Sequence, residues 1–247
     1  MIDKKTLISF AKLNGMRPWQ QEKHYIQSVI LVAMSEEQVV FKGGTYLWFF
    51  HGLNRFSEDL DFTSEKVPKD MDKKISKSLL MMGIENKTKI MTDDERSFSF
   101  RISANGPLNT VDIDRCHVYV EISKREKVLQ PTISSKIDIP AYNLPIKVIK
   151  GMSLEEVTTE KIRAIITRDK ARDMYDLAFI IQNKNVKFNE EMTNEKLKYY
   201  GIKFSKIDFE KKLNGKKEIW KQELSQLIFD ELQDADEIIK MIKNWVE

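Results

Sequence analysis

The sequence contains a single cysteine, Cys116, among its 247 residues. One thiol cannot form an intramolecular disulfide or a cysteine-rich zinc module, so both are excluded. A reducing, cytoplasmic location is therefore expected. The longest apolar stretches, 29–34 and 46–50, are far shorter than the roughly 18 residues of a membrane-spanning helix. The N-terminal segment also lacks the apolar core of a secretory signal.

Three common catalytic signatures are also missing from the sequence. No Gly-x-x-x-x-Gly-Lys-Ser/Thr loop occurs, which argues against an ordinary P-loop ATPase. No Gly-x-Ser-x-Gly turn occurs either, so a serine hydrolase has no support. The histidines, His24, His51 and His117, are scattered without metal-ligand spacing, and we assign them no chemistry.

Positive and negative charges nearly balance, because 41 Lys and Arg face 38 Asp and Glu, giving a net charge of +3. This balance argues against a globally basic protein that coats nucleic acid, so any polyanion site must be local. Hydrophobic residues at 41% and aromatic residues at 10% are ordinary for a folded globule. Disordered and collagen-like classes are therefore excluded.

The hydrophobic pattern changes along the chain. Apolar residues recur at helical spacing over 6–35, and Pro18 suits the first turn of a second helix. Segments 97–103 and 118–123 alternate between apolar and polar residues, which predicts two adjacent strands of a half-buried sheet. Beyond Gly151 the period is helical. We therefore predict a helical lead-in and a strand-containing core over residues 1–150, followed by a helical domain over 151–247.

A glycine turn followed by an acidic pair is the most informative segment. Gly43 and Gly44 allow close approach of the backbone to a ligand, and a helix starting there would direct free N–H groups at phosphate oxygens. Asp59 and Asp61 are two residues apart, so on a strand both carboxylates project from one face. Mg²⁺ prefers oxygen ligands and completes its shell with substrate phosphates. The combination predicts a site for a metal and a phosphorylated substrate.

A second Asp-x-Asp motif, Asp112 and Asp114, has the same spacing but no glycine turn at the corresponding distance upstream. We interpret it as a solvated segment leading into the next strand.

Charged residues also interrupt two apolar helical stripes. Ser153 and Glu156 form a capping-box pattern that starts a helix, and Lys161 falls in the middle of its apolar face. In the next helix, Asp173 and Asp176 face the interior as well. Because burying an unpaired ammonium is expensive, Lys161 must extend to solvent, pair with an acid or meet an anionic ligand. A structural ion pair and a triphosphate contact both fit this pattern.

Segments 42–45 (KGGT) and 55–62 (RFSEDLDF) resemble the first motif of the AbiEii/AbiGii family of nucleotidyltransferase-like toxins, within the polymerase-β nucleotidyltransferase superfamily. Segments 160–164 (EKIRA) and 172–177 (RDMYDL) resemble later family motifs, in which a lysine and an aspartate are needed for activity. The resemblance implies a polymerase-β-like α/β nucleotidyltransferase core with a mixed sheet, followed by a helical C-terminal domain. It implies a Mg²⁺-dependent enzyme, with two ions, that transfers a nucleotide from an NTP. It also implies a cognate antitoxin partner and an RNA acceptor, with the tRNA 3′ end expected from MenT-type relatives.

The resemblance assigns roles to individual positions. A third superfamily carboxylate matches Glu121, on the polar face of segment 118–123, although a surface glutamate with no catalytic role remains an alternative. The implied metal ligands are Asp59, Asp61 and Glu121, with Lys161 and Asp173 as further catalytic residues. The implied nucleotide-binding residues are Gly43, Gly44, Thr45, Arg55, Ser57, Lys161 and Asp176.

Other functions remain open at this stage. An enzyme of the same fold that modifies a protein side chain is one alternative, and a nucleotide-binding partner without turnover is another. Segment 184–217 holds ten lysines and five acids. We interpret it as solvated helix faces, with an RNA-tracking surface as the alternative.

Overall fold

A computed structural model describes residues 1–125 and 127–247. Its strands are β1 (Val40–Lys42), β2 (Leu60–Thr63), β3 (Asn86–Asp93), β4 (Ser97–Ala104), β5 (Cys116–Ser123), β6 (Ile133–Ile137) and β7 (Lys147–Gly151). Its α-helices are α1 (Lys4–Leu13), α2 (Pro18–Met34), α3 (Gly43–His51), α4 (Met71–Met81), α5 (Leu154–Thr167), α6 (Ala171–Lys184), α7 (Glu190–Lys198), α8 (Lys206–Gly215), α9 (Lys217–Leu224) and α10 (Ala235–Trp245). Short 3₁₀ turns occupy Asp112–Asp114 and Pro140–Tyr142.

The strands form one mixed sheet in the order β3-β4-β5-β2-β1-β7-β6. β2 and β5 pair in parallel, as do β1 and β7, and the other neighbours are antiparallel. The predicted adjacent strands are confirmed as β4 and β5, which pair from Ser97 with Ser123 to Ala104 with Cys116. The mixed α/β class is therefore confirmed.

The alternation of the sequence explains how the sheet is covered. Phe98, Phe100 and Ile102 of β4 are buried on one face, and Val118, Val120 and Ile122 of β5 share that face. Helix α2 packs against β5 and helix α4 against β3, so apolar helix surfaces cover the sheet. Pro18 opens α2 at its first position, as predicted.

The chain forms two compact units. The first comprises Met1–Tyr46, Glu58–Lys127 and Thr132–Gly151 and contains the strands. The second comprises Leu47–Ser57, Val128–Pro131 and Met152–Glu247, so two short earlier segments accompany the C-terminal helices. The division into two domains at residues 150 and 151 stays a prediction.

The second unit has its own hydrophobic core. It is built from apolar residues of α5, α6 and α8 to α10, with Trp220 and Phe209 among the largest fully buried side chains. The indole N–H of Trp220 donates to the carbonyl of Gln233 at 2.9 Å, which satisfies its polar atom inside the core.

The predicted cap of α5 is half right. Ser153 Oγ accepts from the N–H of Glu156 at 3.2 Å, as expected for the N-cap. The Glu156 carboxylate, however, accepts from the N–H groups of Leu129 and Gln130 and pairs with Lys196 at 2.6 Å. Its role is therefore to hold a distant segment of the second unit. Periodicity within one helix cannot reveal such a contact.

Over the described ranges, none of the helices is both long and apolar enough to cross a membrane.

Truncating Phe209 tests the core of the second unit. Phe209→Ala should lower the free energy of unfolding by about 3–5 kcal/mol, because it removes a buried ring and leaves a cavity. Ile207→Ala, two residues earlier on the same helix at a side chain that is 69% exposed, is the matched control and should change stability little. Urea unfolding followed by circular dichroism measures both; equal losses would contradict this core assignment.

Candidate active site

Four polar residues form one row across the sheet. Asp61 on β2 pairs with Glu121 on the parallel strand β5 and with Lys42 on the antiparallel strand β1. Ser99 on β4 pairs with Glu121 from the other side. Residues that pair directly share a face of the sheet, and neighbouring strands lie about 4.8 Å apart. The structure therefore brings Asp61 and Glu121, distant in sequence, to adjacent positions on one face.

Asp59 lies just before this row. β2 begins at Leu60, so the expectation that both aspartates lie on the strand is wrong for Asp59. Its backbone is held firmly, because the Thr45 hydroxyl donates to the carbonyl of Asp59 and Gln27 Nε2 donates to the carbonyl of Glu58 at 2.8 Å. These bonds fix the segment that carries the acidic pair.

Gly43 makes room for Asp61. Its φ of +79° lies in the left-handed region, which favours glycine. A Cβ placed on Gly43 would lie 2.5 Å from Asp61 Oδ2, so the carboxylate occupies the space that any other side chain would need. Gly43 is also the first residue of α3, and Gly44 is the second. The glycine turn and Asp61 are therefore in direct contact.

Glu121 has a basic neighbour that the sequence did not indicate. Arg125 Nη2 lies 3.0 Å from Glu121 Oε1, and both side chains are partly exposed. The contact gives the carboxylate a counterion at the exposed end of β5.

The row of Lys42, Asp61, Glu121 and Ser99, called the acidic row below, contains two carboxylates suited to a metal ion. Among residues 1–125 and 127–247, no group of three His, Cys, Asp or Glu side chains is arranged to hold a metal ion. Mg²⁺ usually takes only one or two protein carboxylates, with water and substrate phosphates completing its shell. Asp61 and Glu121 fit that donor set. Ligation by all three predicted acids stays a prediction.

A buried ionic network lies in the second unit. Lys161 Nζ is 3.0 Å from Asp173 Oδ1 and 2.6 Å from Asp176 Oδ2. Arg55 donates through Nε and Nη2 to the two oxygens of Asp176 at 2.6 and 2.7 Å. Arg168 binds Asp173 in the same bidentate way at 2.7 and 2.8 Å. Three cations thus meet two carboxylates, and Arg168, half exposed, is the member closest to solvent.

The network controls the ionisation of its acids. Burial alone raises the pKa of Asp173, but Lys161 and Arg168 outweigh it and the pKa falls well below the ordinary value. Burial likewise opposes ionisation of Asp176, and the charges of Arg55 and Lys161 lower its pKa overall. In turn, Asp176 raises the pKa of Arg55 despite the complete burial of the guanidinium. Both carboxylates are therefore ionised at neutral pH.

The structure gives several predicted nucleotide-binding residues other contacts. Arg55 is buried, and its Nη1 also donates to the carbonyl of Phe56 at 3.0 Å. Thr45 is fully buried and holds the Asp59 backbone. Ser57 is half-buried in the second unit. Direct contact of these residues with nucleotide stays a prediction, whereas positioning contacts are visible for Arg55 and Thr45.

Two contributors were missed by sequence reasoning. Gln27 is a buried amide inside the apolar surface of α2. A polar residue at an apolar position of a helix is a signal that the sequence does contain. Arg125 follows β5 in a polar segment and carries no such signal.

The profile of the nucleotidyl transferase AbiEii toxin family, type IV TA system, matches residues 29–241. Among solved structures, MenT4, a nucleotidyltransferase toxin of Mycobacterium tuberculosis, is 17% identical with a TM-score of 0.70, over 100% of this chain and 89% of that chain. JHP933 from Helicobacter pylori is 20% identical with a TM-score of 0.57, over 92% and 90%. These low identities show a shared fold alone. No curated protein matches the sequence.

Gly43→Ala tests the contact between the glycine turn and Asp61. We expect at least a 100-fold loss of nucleotidyl transfer, because the new methyl group displaces the carboxylate. Gly52→Ala is the matched control, since Gly52 has nearly the same φ, +78°, but open space around its Cβ position. Both variants should lose about 1–2 kcal/mol of stability from the left-handed backbone. Similar activity of the two variants would contradict the proposed displacement of Asp61.

Asp176→Asn tests the buried network through pH. At neutral pH we expect a loss of about 3–5 kcal/mol in unfolding free energy, because Arg55 and Lys161 lose their shared counterion. A lowered carboxylate pKa stabilises the fold above the unfolded value of about 3.9, and this contribution is lost as pH falls through the folded value. The difference from wild type should therefore shrink below about pH 4. Urea unfolding across this pH range measures it, and Asp236→Asn, in an exposed ion pair, is the control.

Proposed function

The chain belongs to the AbiEii family of nucleotidyltransferase toxins of type IV toxin–antitoxin systems, and on this premise we propose that it transfers a nucleotide from an NTP to an RNA acceptor, with the tRNA 3′ end as the expected target. The observation that carries the proposal is the pairing of Asp61 with Glu121 on one sheet face, beside the Gly43 turn. Membership of the family makes the chain a nucleotidyltransferase and implies an antitoxin partner. The RNA acceptor is what we propose here.

The acidic row provides the cation site in this proposal. Asp61 and Glu121 would hold divalent cations, two in number, with Asp59 contributing from its fixed position before β2. Bound Mg²⁺ supplies charge neutralisation and Lewis acidity to the phosphates. In this proposal the carboxylates would set where the α-phosphorus lies, and Glu121 would accept the proton of the attacking hydroxyl. Attack in line at the α-phosphorus releases pyrophosphate.

The glycine turn provides the phosphate site. Gly43 and Gly44 begin α3, where backbone N–H groups have no intrahelical acceptor. Such groups bind phosphate oxygens, and the helix dipole favours the negative charge. Because Asp61 packs directly on Gly43, phosphate and cation sites would share an edge. Positioning and charge stabilisation then supply most of the rate.

The buried network supplies positive charge in the second unit. Lys161, Asp173 and Asp176 match the later family motifs, and the network has one more cation than acid. We propose that Lys161 carries the positive charge that the later family motifs need for activity, with Asp173 and Asp176 fixing its ammonium and Arg55 fixing Asp176. The ion pair considered from the sequence is present, because Lys161 contacts both Asp173 and Asp176. In this proposal the pair holds the Lys161 ammonium in position.

Charge removal in the acidic row tests the proposal. Asp61→Asn and Glu121→Gln should each reduce label transfer from an α-labelled NTP by about 100-fold or more, since a nearly isosteric amide cannot replace a carboxylate at a cation. The assay combines Mg²⁺, each NTP in turn and purified tRNA, total RNA or protein as acceptor, with products resolved on a denaturing gel.

Asp112→Asn is the matched control for these variants, because it alters the second Asp-x-Asp motif at an exposed position. It should keep wild-type activity. Undiminished transfer by Asp61→Asn would refute the assigned role, and label on protein alone would replace the RNA acceptor with a protein one. Suppression of toxicity by the product of an adjacent open reading frame would identify the antitoxin.

A further inference from the structure

Two further rows of side chains lie next to the acidic row on the same sheet face. Lys89 on β3 pairs with Arg101 on β4, and Arg101 pairs with Tyr119 on β5. One step further along, Lys87 pairs with Ser103, and Ser103 pairs with His117. We call Lys87, Lys89, Arg101, His117 and Tyr119 the sheet-face strip.

The sheet-face strip directly adjoins the acidic row. Tyr119 and Glu121 are two residues apart on β5, so their side chains project to the same face. Val120 of β5 pairs with Leu60 of the parallel strand β2. Tyr119 and Asp59 each come one residue before these two partners. The aromatic ring therefore starts from a position beside the acidic pair.

The strip is open to solvent and positively charged. Lys87, Lys89, His117 and Tyr119 are exposed, with 43% of Tyr119 accessible. Lys87, Lys89 and Arg101 form no ion pair with any residue in 1–125 or 127–247. Arg101 Nε is buried and has no hydrogen-bond partner within the same ranges. The pKa of His117 is lowered, first by burial and then by the positive charges of Arg101, Lys23 and Arg115.

We propose that the sheet-face strip binds the single-stranded 3′ end of an RNA acceptor, with Tyr119 stacking on a base while Lys87, Lys89 and Arg101 bind backbone phosphates. This inference rests on the proposed nucleotidyl transfer to RNA. Single strands are bound by aromatic platforms combined with basic side chains, and stacking tolerates any base. A neutral His117 adds a second ring. The terminal hydroxyl of a strand bound there would lie next to the acidic row.

The lysine-rich segment 184–217 is the competing RNA surface. Its Lys196 and Lys216 are buried and bind Glu156 and the Arg168 carbonyl, so they are structural. Lys198 and Lys211 form exposed pairs with acids on their own helices. The local charge is thus largely compensated, as expected for a solvated helix face.

The test measures binding separately from transfer. Fluorescence anisotropy with a labelled single-stranded RNA of about twelve nucleotides, in EDTA and without NTP, gives the affinity of each full-length variant. Tyr119→Ala should weaken binding about tenfold or more, and Tyr119→Phe should retain wild-type affinity because it keeps the stacking ring. Arg101→Gln and Lys89→Gln should weaken binding and each reduce the salt slope by about one.

Tyr199→Ala and Lys203→Ala, in the lysine-rich segment, are the matched controls and should bind as wild type does. Thermal unfolding confirms that all variants are folded. Wild-type affinity in Tyr119→Ala, equal losses in Tyr119→Phe and Tyr119→Ala, or a larger loss in the controls would each overturn the inference.

Transfer kinetics separate this inference from the proposed function. Strip variants should raise KM for RNA about tenfold and leave KM for NTP unchanged. If wild type labels RNA but the strip variants keep their RNA affinity and KM, the inference fails and the proposed function stands. If no RNA is labelled while strip variants lose oligonucleotide binding, the strip is an RNA surface and the proposed transfer to RNA fails.

Discussion

The contact between the backbone of Gly43 and the carboxylate of Asp61 is the constraint on which the site depends. A left-handed glycine with no side chain allows β1 to turn directly into α3 while β2 runs alongside. The carboxylate fills the space that a Cβ would occupy. Two segments that look like separate motifs in the sequence are therefore one packing unit.

The buried network follows a different physical logic. Removing Arg55, Lys161 and two carboxylates from water is costly, and only close, multiple hydrogen bonds offset that cost. Bidentate pairing of Arg55 with Asp176 and of Arg168 with Asp173 provides those bonds, leaving Lys161 between the two acids. Such an arrangement fixes the position of an ammonium far better than solvent would. The network also contains one more cation than carboxylate.

Local patterns predicted much of this molecule, and their success has a physical basis. Alternation identified β4 and β5 because each strand buries one face, and the stripe on α6 identified Asp173 and Asp176 as interior because helices bury one side. The misses share a cause as well. The partner of Arg55, the Arg125 contact and the bonds from Glu156 to segment 128–131 all join residues whose proximity depends on tertiary packing. Asp59 fell outside β2 because strand ends are set by pairing and not by composition.

The parallel pairing of β2 with β5 also determines when the acidic row forms during synthesis of the chain. Parallel neighbours need a long connection, here one that contains α4 and the β3–β4 hairpin, so pairing β2 with β5 closes a long loop at an entropic cost. A nascent chain still on the ribosome before β5 emerges has one half of the acidic row and not the other. The two carboxylates of the acidic row therefore come together only after β5 has been synthesised and has paired with β2.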